Sequence, residues 1–104
     1  MNIKQKSDAL AYLDKIIGDE MTIGATLRAH REAEDLTQQQ LAKKLKISRV
    51  HLSQIEKGHK FLSPERAKSF AQTLGYSPKL FVQLSLQEQL DRAKLPYKIK
   101  LEAS

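Results

Sequence analysis

The chain has no cysteine and no tryptophan, and three tyrosines and three phenylalanines are its only aromatic residues. Without cysteine there is no disulfide and no cysteine-based metal site. The three histidines, His30, His51 and His59, have no metal-ligand spacing, so no metal or other cofactor is expected. The four glycines form no phosphate-cradling loop, and no nucleophile and base are set out together. Nothing in the sequence points to an enzyme. No apolar run reaches the length of a membrane span, and the opening MNIKQKSDAL has no signal-peptide core, so a cytoplasmic protein without membrane contact is expected.

What the chain has is positive charge, and its distribution matters more than its total. A length of 104 residues allows one small domain with extensions, and the formal net charge is +6. Residues 1–36 are slightly acidic on balance. Residues 37–60 carry six basic groups (Lys43, Lys44, Lys46, Arg49, Lys57, Lys60) against Glu56 alone. Such a cluster suits a phosphate-binding surface. Lysine is also a common solvated residue, so charge by itself leaves both readings open.

The same segment, TQQQLAKKLKISRVHLSQIEKG from Thr37 to Gly58, reads as two short helices joined by a tight turn. Thr37 with Gln40 three residues on is a capping-box pattern. Leu41, Ala42 and Leu45 share one face. Lys46 and Ile47 form the turn, and Ser48 is a good N-cap for the second helix. Leu52 and Ile55 give that helix its inner face, leaving Arg49, Val50, Ser53 and Gln54 outside. Gly58 stops it. Helices joined this closely cross steeply, as in a helix-turn-helix.

Around this pair, SDALAYLDKIIG from Ser7 to Gly18 predicts an amphipathic helix with Leu10, Leu13 and Ile17 in a stripe. It either enlarges the core or contacts a partner. Thr22 caps a helix over Ile23–Glu32, with Ile23, Leu27 and the partly buried Arg31 facing inward. Ser63-Pro64 starts another, with Ala67, Phe70, Ala71 and Leu74 inside and Gly75 at its end. Ser77-Pro78 repeats the signal and opens a helix to about Lys94, with a break expected near Ser85. After Pro96, Tyr97, Ile99 and Leu101 alternate with Lys98, Lys100 and Glu102, the pattern of a half-buried strand. A lone strand leaves backbone groups unpaired. It is expected to pair with its copy in a second subunit or with a partner's sheet; a disordered tail is the alternative.

Taken together, IGATLRAHR, LTQQQLAKKLKIS, HLSQIEKG, the Ser63–Leu74 helix and the Leu74-Gly75-Tyr76-Ser77 corner resemble the phage-repressor-like (Xre-type) helix-turn-helix family over residues 22–86. The order and separation of these motifs make the resemblance specific. The family usually has glycine where this chain has Lys46, and a left-handed residue other than glycine costs roughly 1 kcal/mol. The resemblance implies an all-α, five-helix lambda-repressor-like domain; the flanks add an extra N-terminal helix and a short C-terminal β-strand. The organisation expected is residues 1–21 as tail and helix, 22–86 as the DNA-binding domain, and 87–104 as a helical extension and strand for dimer or partner contact.

The resemblance also implies roles. Arg31 and Glu56 form a structural ion pair. Arg49, Val50, Ser53 and Gln54 face base edges in the major groove: an arginine can bond guanine O6 and N7 together, a valine can meet a thymine methyl, and a glutamine can bond adenine. Gln38, Lys43, Ser48, His51, Lys57 and Lys60 meet phosphates, and the partners expected are double-stranded DNA and a second copy of the chain. Compact chains of this type with short extensions look like antitoxins, which bind a cognate toxin and repress their own operon. A free-standing repressor without a toxin is the alternative.

Overall fold

The described residues of the computed structural model are 21–103, and among them are five helices and no strand. The helix expected over residues 7–18 lies outside the described residues. Cα packing divides the chain into two units, one ending at Lys60 and the other beginning at Phe61.

In the first unit, α1 runs Ile23–Ala33, α2 Gln38–Leu45 and α3 Arg49–Glu56. Each begins where a hydroxyl satisfies a free backbone N–H. Thr22 accepts from Ala25 N at 3.0 Å, and Ser48 accepts from His51 N at 3.0 Å. Thr37 forms the full capping box: it accepts from Gln40 N at 3.1 Å, and its own N–H donates to Gln40 Oε1 at 2.8 Å. The helix ends are equally local. Lys46 is left-handed (φ 59°, ψ 40°), and Ile47 N donates to Ala42 O at 3.0 Å. Lys46 therefore takes the backbone conformation that glycine would provide. Gly58 does the same after α3, with His59 N donating to Gln54 O at 2.8 Å.

Helix α3 packs on both α1 and α2. Leu27, Leu41 and Leu52 are fully buried, with Ile23, Ala42, Leu45 and Ile55 nearly so. Burial of each leucine contributes about 1.5–3 kcal/mol. These contacts, more than the propensities of two eight-residue helices, hold the unit together.

In the second unit, α4 runs Pro64–Leu74 and α5 Pro78–Arg92. Ser63 and Ser77 cap them, each followed by proline at the first helical position. The two helices pack together, burying Ala67, Phe70, Ala71 and Leu74 from α4 and Phe81 and Leu84 from α5. Tyr76 stacks on Phe81 with ring centroids 5.5 Å apart. The break expected at Ser85 does not occur. Ser85 is buried, and its hydroxyl donates to the Leu62 carbonyl, so a polar residue inside the helix satisfies a backbone acceptor beside it.

The C-terminal β-strand is also corrected. Residues 97–102 lie in no ladder. Gln87 donates from Nε2 to Tyr97 O at 2.9 Å and accepts from Ile99 N at 2.7 Å, and Gln83 accepts from Leu101 N at 3.1 Å. The segment is thus a strap whose direction opposes that of α5, fastened by glutamine amides in place of a neighbouring strand. Ile99 and Leu101 are half-buried, as the alternation requires, while Tyr97 remains 63% exposed.

Candidate nucleic-acid interface

The first unit presents the first turn of α3. Arg49 is its first residue and Val50 its second, and both are exposed, Val50 at 55%. An exposed valine at the start of a short helix has no role in the core. Ser53 and Gln54 lie four residues on from Arg49 and Val50, so each pair falls on one helix face; both are half-buried. Ser48 accepts one hydrogen bond in the cap and keeps a hydroxyl proton to donate. His51 is half-buried in the same turn. Lys43 on α2, Lys57 at the C-cap of α3 and Lys60 beyond it are exposed, as are Lys44 and Lys46. No acidic side chain other than Glu56 lies between residues 37 and 60.

Glu56 is not a surface charge. Its side chain is 4% exposed and receives three bonds: Arg31 Nε to Oε2 at 2.9 Å, Arg31 Nη2 to Oε1 at 3.0 Å, and Gln38 Nε2 to Oε1 at 3.0 Å. One carboxylate therefore ties α3 to α1 through a bidentate guanidinium and to α2 through an amide. The hydrogen bond to Glu56 is the main cause of a raised Arg31 pKa. Desolvation pulls the other way, and the charges of Glu56 and Glu32 add to the rise. The positive field of the segment is left almost uncancelled at the surface, because its single acid is consumed inside.

The pair Arg31–Glu56 was legible in the sequence through the family resemblance; the Gln38 bond was not. Gln38 stands at the first position of α2, half-buried, with its amide directed to Glu56. Gly24 was missed altogether. A Cβ there would stand 2.2 Å from the Ile55 carbonyl oxygen and 3.0 Å from that of Glu56. The end of α3 lies directly on the backbone of α1, and only a residue without a side chain permits it. A glycine in the first turn of a helix, between the inward-facing Ile23 and Leu27, was the available signal.

A helix-turn-helix family model matches residues 27–81, more than half of the chain. The chain belongs to the helix-turn-helix family. Searches of curated proteins and of solved structures give no match. The helix-turn-helix match makes this a DNA-binding transcription-regulator domain of the Xre type, with α2 and α3 as its helix pair. Among the described residues no helix is long and apolar enough to cross a membrane, and no group of histidine, aspartate and glutamate is set to hold a metal. The strap residues Tyr97, Ile99 and Leu101 belong to the second unit, and the helix pair belongs to the first.

Proposed function

We propose that this helix-turn-helix protein is a sequence-specific repressor that binds an inverted-repeat operator as a homodimer. The observation that carries the reading is the exposed first turn of α3, Arg49 and Val50, on a helix whose other end is tied by Glu56 to Arg31 and Gln38. Arg49 bonds a guanine edge, Val50 meets a thymine methyl, and Ser53 and Gln54 extend the reading face. Ser48, His51, Lys43, Lys57 and Lys60 meet phosphates, together with the first turn of α2 at Gln38. One such helix spans only a few base pairs, so two copies are needed for a unique site, with half-sites about one helical turn, roughly 34 Å, apart. Residues 22–86 form the DNA-binding part, with residues 1–21 and 87–104 left for dimer or partner contact.

Within this reading the protein is an antitoxin that represses its own operon and binds a toxin. The strap, a segment outside the α2–α3 helix pair, supports this reading; a free-standing repressor remains the alternative function. Selection from randomised duplexes with the full chain tests the DNA reading, and two inverted half-sites are expected. Enrichment of a single unrepeated half-site by a monomer contradicts it. Co-expression with the product of the adjacent reading frame tests the antitoxin role: rescue of growth and a stable complex are expected, and a harmless, non-binding neighbour favours the free-standing repressor.

A further inference from the structure

The strap has two edges, and only one is used. In an extended segment the N–H and C=O of one residue point to the same side, and those of the next residue point to the other. Tyr97 O, Ile99 N and Leu101 N face α5, where Gln87 and Gln83 hold them. The backbone groups of Lys98 and Lys100 therefore point away from α5. Among the described residues they have no hydrogen-bond partner. The outward side is a short edge of unpaired backbone groups, fastened from behind, with lysines along it and the exposed Tyr97 at one end.

We propose that this outward edge docks an extended acidic segment of a partner protein, which adds alongside residues 98–101 as a strand. Backbone groups of Lys98 and Lys100 supply the pairing, as in other strand additions. Charge selects the occupant. Lys98 and Lys100 are both exposed, and the exposed Lys94 precedes them. An incoming strand that alternates acidic and apolar residues sets carboxylates beside the two lysines and apolar side chains beside Tyr97, Ile99 and Leu101. A second copy of the chain fits badly. Antiparallel pairing of two copies centred on residue 98, 99 or 100 always sets a lysine opposite a lysine, and lysines on an edge oppose self-pairing. The inference rests on the strap alone, and DNA recognition by α3 stands or falls separately.

The experiment uses the full chain, labelled for backbone amide NMR, and capped synthetic peptides. The first peptide alternates valine and glutamate, the second alternates valine and lysine, and the third is the first with alternate amides N-methylated. Saturable binding of the glutamate peptide is expected, with the Lys98 and Lys100 amides shifting and becoming protected. The N-methylated peptide and the variant Lys98→Pro each lose about tenfold in affinity. Proline at 98 removes an outward N–H and keeps the inward N–H groups of Ile99 and Leu101, whose continued protection shows that the strap is intact. Lack of saturable binding by the glutamate peptide overturns the proposal. So do equal binding of the lysine peptide, undiminished binding by Lys98→Pro, shifts confined to α2 and α3, and Lys98 and Lys100 amides already protected in a dimer that dissociates on dilution. Duplex binding measured on the same samples is expected to be unchanged by Lys98→Pro, so a failure of DNA binding is seen separately.

Discussion

Arg31 and Glu56, 25 residues apart in sequence, meet through two parallel hydrogen bonds of 2.9 and 3.0 Å, with the carboxylate side chain 4% exposed. The pair fixes the far end of α3 to α1, while the near end carries Arg49 and Val50 into solvent. Removing either partner leaves the other charge under-compensated, and removing Glu56 also orphans the Gln38 amide. Glu56→Ala is expected to cost about 3 kcal/mol, the lower end for broken buried pairs because Arg31 is partly exposed. Urea unfolding of the single and double variants measures it. A coupling energy near zero in that cycle contradicts the role given to the pair.

The same pair carries a pH prediction. The Arg31 pKa is raised in the folded state, so its contribution is fully present below arginine's ordinary pKa and is lost only as pH climbs through the raised, strongly alkaline value. The destabilisation by Arg31→Met is therefore expected to be the same at about pH 7 and about pH 10. A penalty that shrinks over this range places the titrating group elsewhere.

Gly24→Ala is expected to destabilise despite the better helix propensity of alanine, worth about 1 kcal/mol. The added methyl meets the Ile55 carbonyl, a backbone atom of a packed helix, and overpacking of this kind costs about 1–3 kcal/mol or more. Each kcal/mol lowers the melting temperature of a domain this size by about 4–8 °C. A melting temperature that stays level or rises means that α1 and α3 separate freely.

Lys46→Gly tests the turn. Lys46 is left-handed, as are Asp35 and Lys94 after α1 and α5. Relief of strain of about 1 kcal/mol is partly offset by the greater freedom of glycine in the unfolded chain. A net gain below about 1 kcal/mol is expected in thermal unfolding, together with weaker duplex binding and a lower salt slope if the lysine meets phosphate. Loss of stability shows that the Lys46 side chain has a packing role.

The features legible in the sequence were those set within three or four residues. The caps at Thr22, Thr37, Ser48, Ser63 and Ser77, the stop at Gly75 and the inner faces of the helices follow from local hydrogen bonding and periodicity. What stayed hidden joins distant residues. Gln38 and Glu56 are 18 apart and Ser85 and Leu62 are 23 apart, and no local pattern announces either bond. The strap shows the limit clearly. Its alternation did indicate an extended, half-buried segment, but the expectation of a partner strand assumed that backbone groups pair with backbone. Gln83 and Gln87, one turn apart on α5, supply the same hydrogen bonds from side chains. Among the candidate interface residues, the exposure of Arg49 and Val50 was readable because both are left off the apolar stripe that Leu52 and Ile55 define.

The measurement that most directly tests base reading by the first turn of α3 is operator selection and salt-dependent affinity with Arg49→Ala and Lys60→Ala side by side. Arg49→Ala is expected to relax preference at one position of each half-site and to remove about 1–3 kcal/mol of discrimination there. Lys60→Ala is expected to weaken all duplexes alike and to reduce the salt slope by about 1. If Arg49→Ala instead weakens every sequence equally, with the half-site preference intact, the first turn of α3 does not read bases.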